Sequence, residues 1–200
     1  MVLALYTPID LPEMTIDRNE FIEWHEANRK RDKGGHAENF ISPWLISFAF
    51  HKDRGWNKDI LDVIPNLKGL VENELPFTEI VYINFLEQKI PCMLHRDKTS
   101  QPEIDYKDQP NSYKAYIVYD KPLMYFQKKK DVPEKLYIDH PNHLTKWFAI
   151  NNYDALHASD LPTAPDRKII MTISGTLDYE KHKVILQRSL QKYKDYIISV

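Results

Sequence analysis

The sequence predicts a mainly β protein with flanking helices, built as a sandwich or a double-sheet jelly roll. Between residues 76 and 177 the chain is a series of short β-rich runs separated by turn residues. Apolar residues at helical spacing lie before and after that region. A composition of 42% hydrophobic and 12% aromatic residues is that of an ordinary globular protein rather than a disordered one.

A length of 200 residues suits one well-buried core better than two, so the chain is predicted to be a single domain. Residues 1–75 form a flank of helices and a strand. Residues 76–177 form the jelly-roll core, and residues 178–200 form a C-terminal helix.

The flank contains three predicted elements. Polar capping candidates at 15–20 precede apolar residues at 21–25, which predicts a helix. The aromatic and apolar run at 44–50 predicts a strand. Apolar residues then recur every three or four positions over 58–73, which predicts an amphipathic helix that Pro65 kinks or splits.

Eight strands are predicted in the core, and their number and even spacing indicate two packed sheets. They are residues 79–86, 91–97, 113–119, 123–127, 135–138, 146–151, 155–158 and 167–176. The polar segment 179–196 carries Val184, Leu186, Leu190 and Tyr193 on one side, as expected for a surface helix packed on the sheet.

Charge and cysteine content exclude several classes of function. The formal charge is −2 and the basic residues are scattered, so no nucleic-acid partner is expected. The chain has five glycines and no glycine-rich phosphate-binding motif. A lone Cys92 excludes an internal disulfide and fits a cytoplasmic protein. No secretory leader or membrane-spanning segment is predicted.

A possible metal site is formed by residues far apart in the sequence. His95 and Asp97, two positions apart at a strand end, project from the same face. His157, on a later strand, can complete a set of two histidines and one carboxylate, and Arg167 follows ten positions after it. Such a triad suits Fe(II) and leaves coordination positions open.

A histidine followed two positions later by an acidic residue is weak evidence alone. Eight histidines and 29 acidic residues predict roughly one such pair by chance. Two other pairs, His36 with Glu38 and His51 with Asp53, lack the β-rich region directly after them. The remaining histidines lack such context and are predicted at the surface: His25, His140, His143 and His182.

The order His95-x-Asp97, His157, Arg167 resembles the pattern of the Fe(II)- and 2-oxoglutarate-dependent oxygenase superfamily, as does the stretch 147–159 leading to His157. The resemblance covers about half of the chain, residues 79–177. It implies a double-stranded β-helix, a jelly roll of the cupin-like kind. It also implies Fe(II) held by His95, Asp97 and His157, with 2-oxoglutarate and O2 as cosubstrates and succinate and CO2 as products.

The resemblance further implies roles for residues around the metal. Arg167 would pair with the distal carboxylate of 2-oxoglutarate, because a guanidinium matches a carboxylate in a planar fork. Strand alternation then turns Lys168 to the opposite face. On the first core strand, Asn84 and Tyr82 share a face that would look toward the cosubstrate.

Two positions bear on the type of reaction that the resemblance implies. Asp97 is retained, whereas halogenating relatives replace this carboxylate, so hydroxylation is favoured. Ile173 stands where nucleobase demethylases usually carry a second Arg, which makes demethylation a minority interpretation. The polar segment 98–112 would lie over the metal as a substrate lid or as a plain surface loop.

The prime substrate remains open between a small molecule and an amino-acid residue of a peptide, because loops decide it. The alternative from another functional class is a non-catalytic jelly-roll binding module or a structural metal-binding protein. The sequence predicts no oligomeric state.

Overall fold

Twelve strands form two antiparallel sheets in the computed structural model, which describes residues 4–31, 44–96, 112–118, 123–127, 134–150, 156–163 and 166–198. In chain order the strands are β1 (Tyr6–Pro8), β2 (Lys30–Arg31), β3 (Trp44–His51), β4 (Gly55–Trp56), β5 (Phe77–Gln88), β6 (Cys92–His95), β7 (Ser112–Val118), β8 (Met124–Gln127), β9 (Leu136–Tyr137), β10 (Trp147–Ile150), β11 (Leu156–Ser159) and β12 (Ile169–Leu177).

The path of strands β5 to β12 is that of a double-stranded β-helix. The larger sheet has the order β1-β10-β7-β12-β5-β3-β2, with β4 paired to β3, and the smaller sheet has the order β6-β11-β8-β9. Strands β5, β7, β10 and β12 lie in the larger sheet, and the strands between them in sequence lie in the smaller one. This repeated crossing builds a jelly roll, so the predicted fold class is confirmed. Each of the eight predicted core strands overlaps one of these eight.

In the described part of the chain, four α-helices flank the sheets: α1 (Arg18–Asn28), α2 (Lys58–Val63), α3 (Leu67–Gly69) and α4 (Tyr179–Lys192). Helix α1 begins after Asp17, whose side chain accepts hydrogen bonds from the backbone N–H groups of Asn19 and Glu20. The predicted helix over 58–73 is split at Pro65, and a π-helical turn at Leu70–Glu74 follows α3. Among the described helices, none is long and apolar enough to cross a membrane.

The two faces of the larger sheet carry different residues of the same strands. On β12, Ile169, Met171 and Ile173 belong to the core shared with helices α1 and α2, whereas Ile170 packs between the sheets. The space between the sheets is filled by large side chains, including Tyr6, Tyr116, Phe126 and Phe148. Odd-numbered β12 residues therefore face the helices, and even-numbered residues face the smaller sheet.

Three histidines predicted at the surface are buried, so that expectation was wrong for them. His25 shares a hydrogen bond of 2.7 Å with the Ser47 hydroxyl, and His182 shares one of 2.7 Å with the Tyr113 hydroxyl. His140 donates from Nε2 to the carbonyl of Thr145 at 2.8 Å. A polar partner is what allows each ring to be buried. His143 is exposed, as predicted.

Gly175 provides a test of the strand packing. Its substitution by alanine is expected to lower the free energy of unfolding by about 1–3 kcal/mol. The added Cβ would overlap the Glu79 carbonyl oxygen and lie 2.9 Å from Ile80 Cα, where the β5–β12 register shifts. Chemical denaturation measures the change.

Gly69→Ala is the matched control, since a Cβ there meets only Asn73 Nδ2 at 4.0 Å. It is expected to be neutral or to stabilise by about 0.5–1 kcal/mol. Equal stabilities of the two variants would contradict the close approach of β5 and β12 at Gly175.

Candidate metal centre

The structure brings His95 and His157 together in the smaller sheet, where β6 is the edge strand. They lie on the neighbouring antiparallel strands β6 and β11, directly opposite each other in the register. Their ring centroids are 4.3 Å apart, and His157 is buried. Two imidazoles this close are placed to bind one metal ion.

The hydrogen bond of His95 sets the tautomer of its neutral ring. Its Nδ1 lies 2.7 Å from the carbonyl oxygen of Met93. A carbonyl oxygen only accepts, so Nδ1 carries the proton and Nε2 bears the lone pair. Metal-binding histidines commonly give their second ring N–H to a backbone carbonyl, so this tautomer fits a metal ligand.

The third predicted ligand, Asp97, lies outside the described residues. Residues 98–111 of the predicted lid lie outside them too. Within the described ranges, no three His, Cys, Asp or Glu side chains form a group that could hold a metal. The pair of His36 and Glu38 is also outside them. His51 and Asp53 lie at the turn after β3, 3.6 Å apart, with Asp53 72% exposed, and belong to no such group.

Beside the two histidines, a cavity of about 140 Å³ opens between the sheets. Its described lining residues are Trp44, Leu86, Cys92, His95, Lys114, Met124, His157, Ala158, Ser159, Lys168 and Ile170. They include two lysines and no aspartate or glutamate.

Lys168 is the most unusual group in this cavity, because its side chain is fully buried. Its ammonium group donates to the Ser159 hydroxyl, which in turn donates to Gln88 Oε1 at 3.0 Å. No described carboxylate lies within ion-pair distance of it. Burial lowers the pKa of Lys168 to about 7. A buried cation held by neutral groups at a cavity wall is a candidate for binding an anion.

Arg167 faces the other way, and the structure does not bring it to His95 and His157. Its Nε donates to Glu87 at 2.8 Å and its Nη1 to Glu26 at 2.7 Å, on the helix side of the larger sheet. Arg167 and Lys168 do lie on opposite faces, as predicted. Lys168 faces inward, whereas the residue expected to face inward was Arg167.

Asn84 and Tyr82 lie beyond the described lining of the cavity. Asn84 pairs across strands with Thr172, and Tyr82 pairs with Ser174. Asn84 is 8% exposed, and its Oδ1 accepts no hydrogen bond from the described residues. Asn84 shares its strand face with Leu86, which does line the cavity.

Sequence reasoning missed Lys168 and Lys114. Strand β12 is buried on both faces from Ile169 to Gly175. Thr172 and Ser174 alternate with Met171 and Ile173, but this alternation separates two buried faces and does not tell which of them faces the smaller sheet. A usable signal was present, because both lysines are charged residues within predicted core strands, Lys114 in 113–119 and Lys168 in 167–176.

Comparisons with known proteins give a likeness of architecture. A scan against protein-family models finds no match, and a search of the curated proteins finds no similar sequence. Among solved structures, the chain is similar to a prolyl hydroxylase in complex with a hypoxia inducible factor oxygen degradation domain peptide fragment from Trichoplax adhaerens. The alignment covers 83% of this chain and 78% of that chain at 9% identity, with a TM-score of 0.45.

Glu87→Gln is expected to lower the free energy of unfolding by about 3–5 kcal/mol. Glu87 is 1% exposed and binds Arg29, Lys89 and Arg167, so its removal leaves several cations without their shared carboxylate. Burial alone would raise the pKa of Glu87. Hydrogen bonds from His25, Arg167, Lys89 and Arg29 outweigh it and hold the pKa well below its usual value.

The stability from this carboxylate is therefore complete above a pH of about 4.3, the ordinary carboxyl pKa, and is lost as the pH falls further. Denaturation of wild type and variant between pH 7 and pH 3 should show the difference shrinking in acid. Glu72→Gln, which removes an exposed pair with Lys68, serves as control and should cost under about 0.5 kcal/mol. A Glu87→Gln change as small as that would refute the role of the cluster.

Proposed function

We propose that the protein is an Fe(II)- and 2-oxoglutarate-dependent oxygenase of the hydroxylase type. The observation that carries the proposal is the cross-strand pair of His95 and His157 beside a cavity whose wall holds the buried ammonium group of Lys168. A metal-binding pair next to an anion-binding group is what a dicarboxylate cosubstrate requires.

Fe(II) would be held by Nε2 of His95, by His157 and by the carboxylate of Asp97. Two imidazoles and one carboxylate suit ferrous iron and leave sites for further ligands. The hydrogen bond from His95 Nδ1 to Met93 fixes the orientation of that ring. When bound, Fe(II) with 2-oxoglutarate and O2 supplies the oxidising chemistry, in which the cosubstrate becomes succinate and CO2.

Lys168 would bind the distal carboxylate of 2-oxoglutarate, in the role that the sequence assigned to Arg167. Its ammonium group is held in place by Ser159, which Gln88 holds in turn. A carboxylate that enters the cavity forms an ion pair with Lys168, whose hydrogen-bond partner Ser159 is neutral. The ion pair favours the charged form of the lysine. Leu86, Met124 and Ile170 on the wall exclude water and strengthen that pair.

Removal of metal ligands tests the proposed centre. His157→Ala and Asp97→Ala are each expected to abolish Fe(II) retention and succinate formation, because each leaves an incomplete ligand set. Metal analysis after gel filtration under argon and a succinate assay measure the two effects. Wild type with Fe(II) and 2-oxoglutarate under argon should also develop a weak visible absorption band.

His143→Ala alters an exposed histidine and should retain iron as wild type does. Normal succinate formation by Asp97→Ala would remove Asp97 from the ligand set. A wild-type protein that forms neither the band nor succinate would instead support a non-catalytic binding module.

Lys168→Met is expected to raise the concentration of 2-oxoglutarate needed for half-maximal succinate formation by about tenfold to a hundredfold, the value of one charge-assisted hydrogen bond. Arg167→Met is expected instead to lower the free energy of unfolding, because Arg167 pairs with Glu87 and Glu26. If Arg167→Met raised the 2-oxoglutarate requirement and Lys168→Met did not, Arg167 would be the residue that binds the cosubstrate.

The pH dependence of the 2-oxoglutarate requirement tests the role of Lys168 independently. Burial lowers the pKa of Lys168 to about 7, and only the charged form attracts a carboxylate. The 2-oxoglutarate requirement should therefore rise as the pH rises above 7, by about fivefold between pH 7 and pH 8. Lys168→Met should show no such rise over this range.

A further inference from the structure

The side-chain amide of Gln88 is held in one orientation beside Lys168. Gln88 ends strand β5, and its backbone N–H donates to the Lys168 carbonyl oxygen at 3.1 Å. Its side chain is buried, with Nε2 2.8 Å from the carbonyl oxygen of Ser159 and 3.1 Å from that of Ile90. Carbonyl oxygens only accept, so these two contacts identify the nitrogen end of the amide. The other end, Oε1, is therefore the atom that meets the Ser159 hydroxyl.

This orientation sets where the hydroxyl proton of Ser159 lies. Ser159 Oγ is 3.0 Å from Gln88 Oε1, and an amide oxygen only accepts, so the hydroxyl donates to it. The Asp160 carbonyl oxygen, at 3.4 Å, is a much weaker second acceptor. A hydroxyl has one proton, so Ser159 offers Lys168 only its lone pairs. Lys168 must then be the donor of the hydrogen bond that joins them.

A hydrogen bond in this direction favours the charged form of Lys168, because an ammonium group donates more strongly than a neutral amine. Burial acts against the charge and lowers the pKa of Lys168 to about 7, while Cys92 and Asp160 act in its favour. Asp160 itself accepts a hydrogen bond of 2.7 Å from the Tyr137 hydroxyl. The other titratable residues of the described cavity lining are His95, His157 and Lys114.

We propose that Gln88 is a positioning residue of the cosubstrate site: it takes the proton of the Ser159 hydroxyl, and the hydroxyl oxygen then keeps Lys168 a charged donor. Gln88 is not among the described lining residues of the cavity, so it acts through Ser159 and Lys168. The identity of the anion rests on the proposed oxygenase function. The effect of Gln88 on Lys168 does not.

Gln88→Met tests this effect, because it removes the acceptor and keeps a side chain of similar length. The Ser159 hydroxyl is then free to turn its proton toward the lone pair of a neutral amine. The pKa of Lys168 is expected to fall by about one pH unit, a tenfold weaker hold on the proton. The titration would follow the Cε signal of ¹³C-labelled lysine in metal-free protein between pH 5 and pH 9. Loss of one signal in Lys168→Met assigns it.

Gln88→Glu is expected to shift the pKa of Lys168 in the opposite direction, since it places a carboxylate one hydroxyl group away from the ammonium. Both variants lose the N–H bonds to Ser159 and Ile90, so a merely structural role would move the pKa the same way in both. Gln187→Met alters an exposed glutamine of α4 and should leave the pKa unchanged. Circular dichroism verifies each fold, and either Gln88 variant decides alone if the other is unfolded.

The 2-oxoglutarate requirement gives the second measurement. In Gln88→Met its rise with pH should begin about one pH unit lower than in wild type, because only charged Lys168 attracts the carboxylate. The inference is overturned if the pKa of Lys168 is unchanged in the Gln88 variants, if it moves the same way in both, or if the requirement does not follow it. A wild type that forms no succinate refutes the oxygenase function, and the lysine titration then still decides the role of Gln88.

Discussion

The buried carboxylate of Glu87 is the interaction on which the geometry of the site depends. Glu87 lies on β5 and is 1% exposed. It forms ion pairs with Arg29 at the end of α1, Lys89 just after β5 and Arg167 in the segment before β12. A buried charge must be paired, so Arg167 is held on the helix side of the sheet. Alternation along the strand then turns Lys168 into the space between the sheets.

Lys168 has opposite effects on the stability of the protein and on the binding of an anion. Its fully buried ammonium group has no described carboxylate within ion-pair distance, which destabilises the protein, and its lowered pKa reflects that cost. The same group attracts an anion strongly, because the surrounding apolar walls screen charge poorly. Groups that violate the rules of core composition in this way are typical of binding sites.

The two sheets contribute different chemistry to one cavity. Strands β6 and β11 of the smaller sheet bring two imidazoles into direct register. The larger sheet contributes Lys114 from β7, Lys168 just before β12, and the apolar side chains of Leu86 and Ile170. A jelly roll makes this division possible, because successive strands alternate between its sheets and residues distant in sequence face each other across the interior.

The sequence by itself determined the eight core strands, the flanking helices and the two histidines that meet, because strand runs, turns and caps are local signals. Only the tertiary structure decided that Pro65 splits a helix, that His25, His140 and His182 are buried, and that Lys168 rather than Arg167 faces inward. Strand β12 is buried on both faces, so its alternation of polar and apolar residues does not tell which side faces the smaller sheet. The carboxylate that holds Arg167 on the helix side of the sheet belongs to Glu87, which lies eighty residues from Arg167 in the chain.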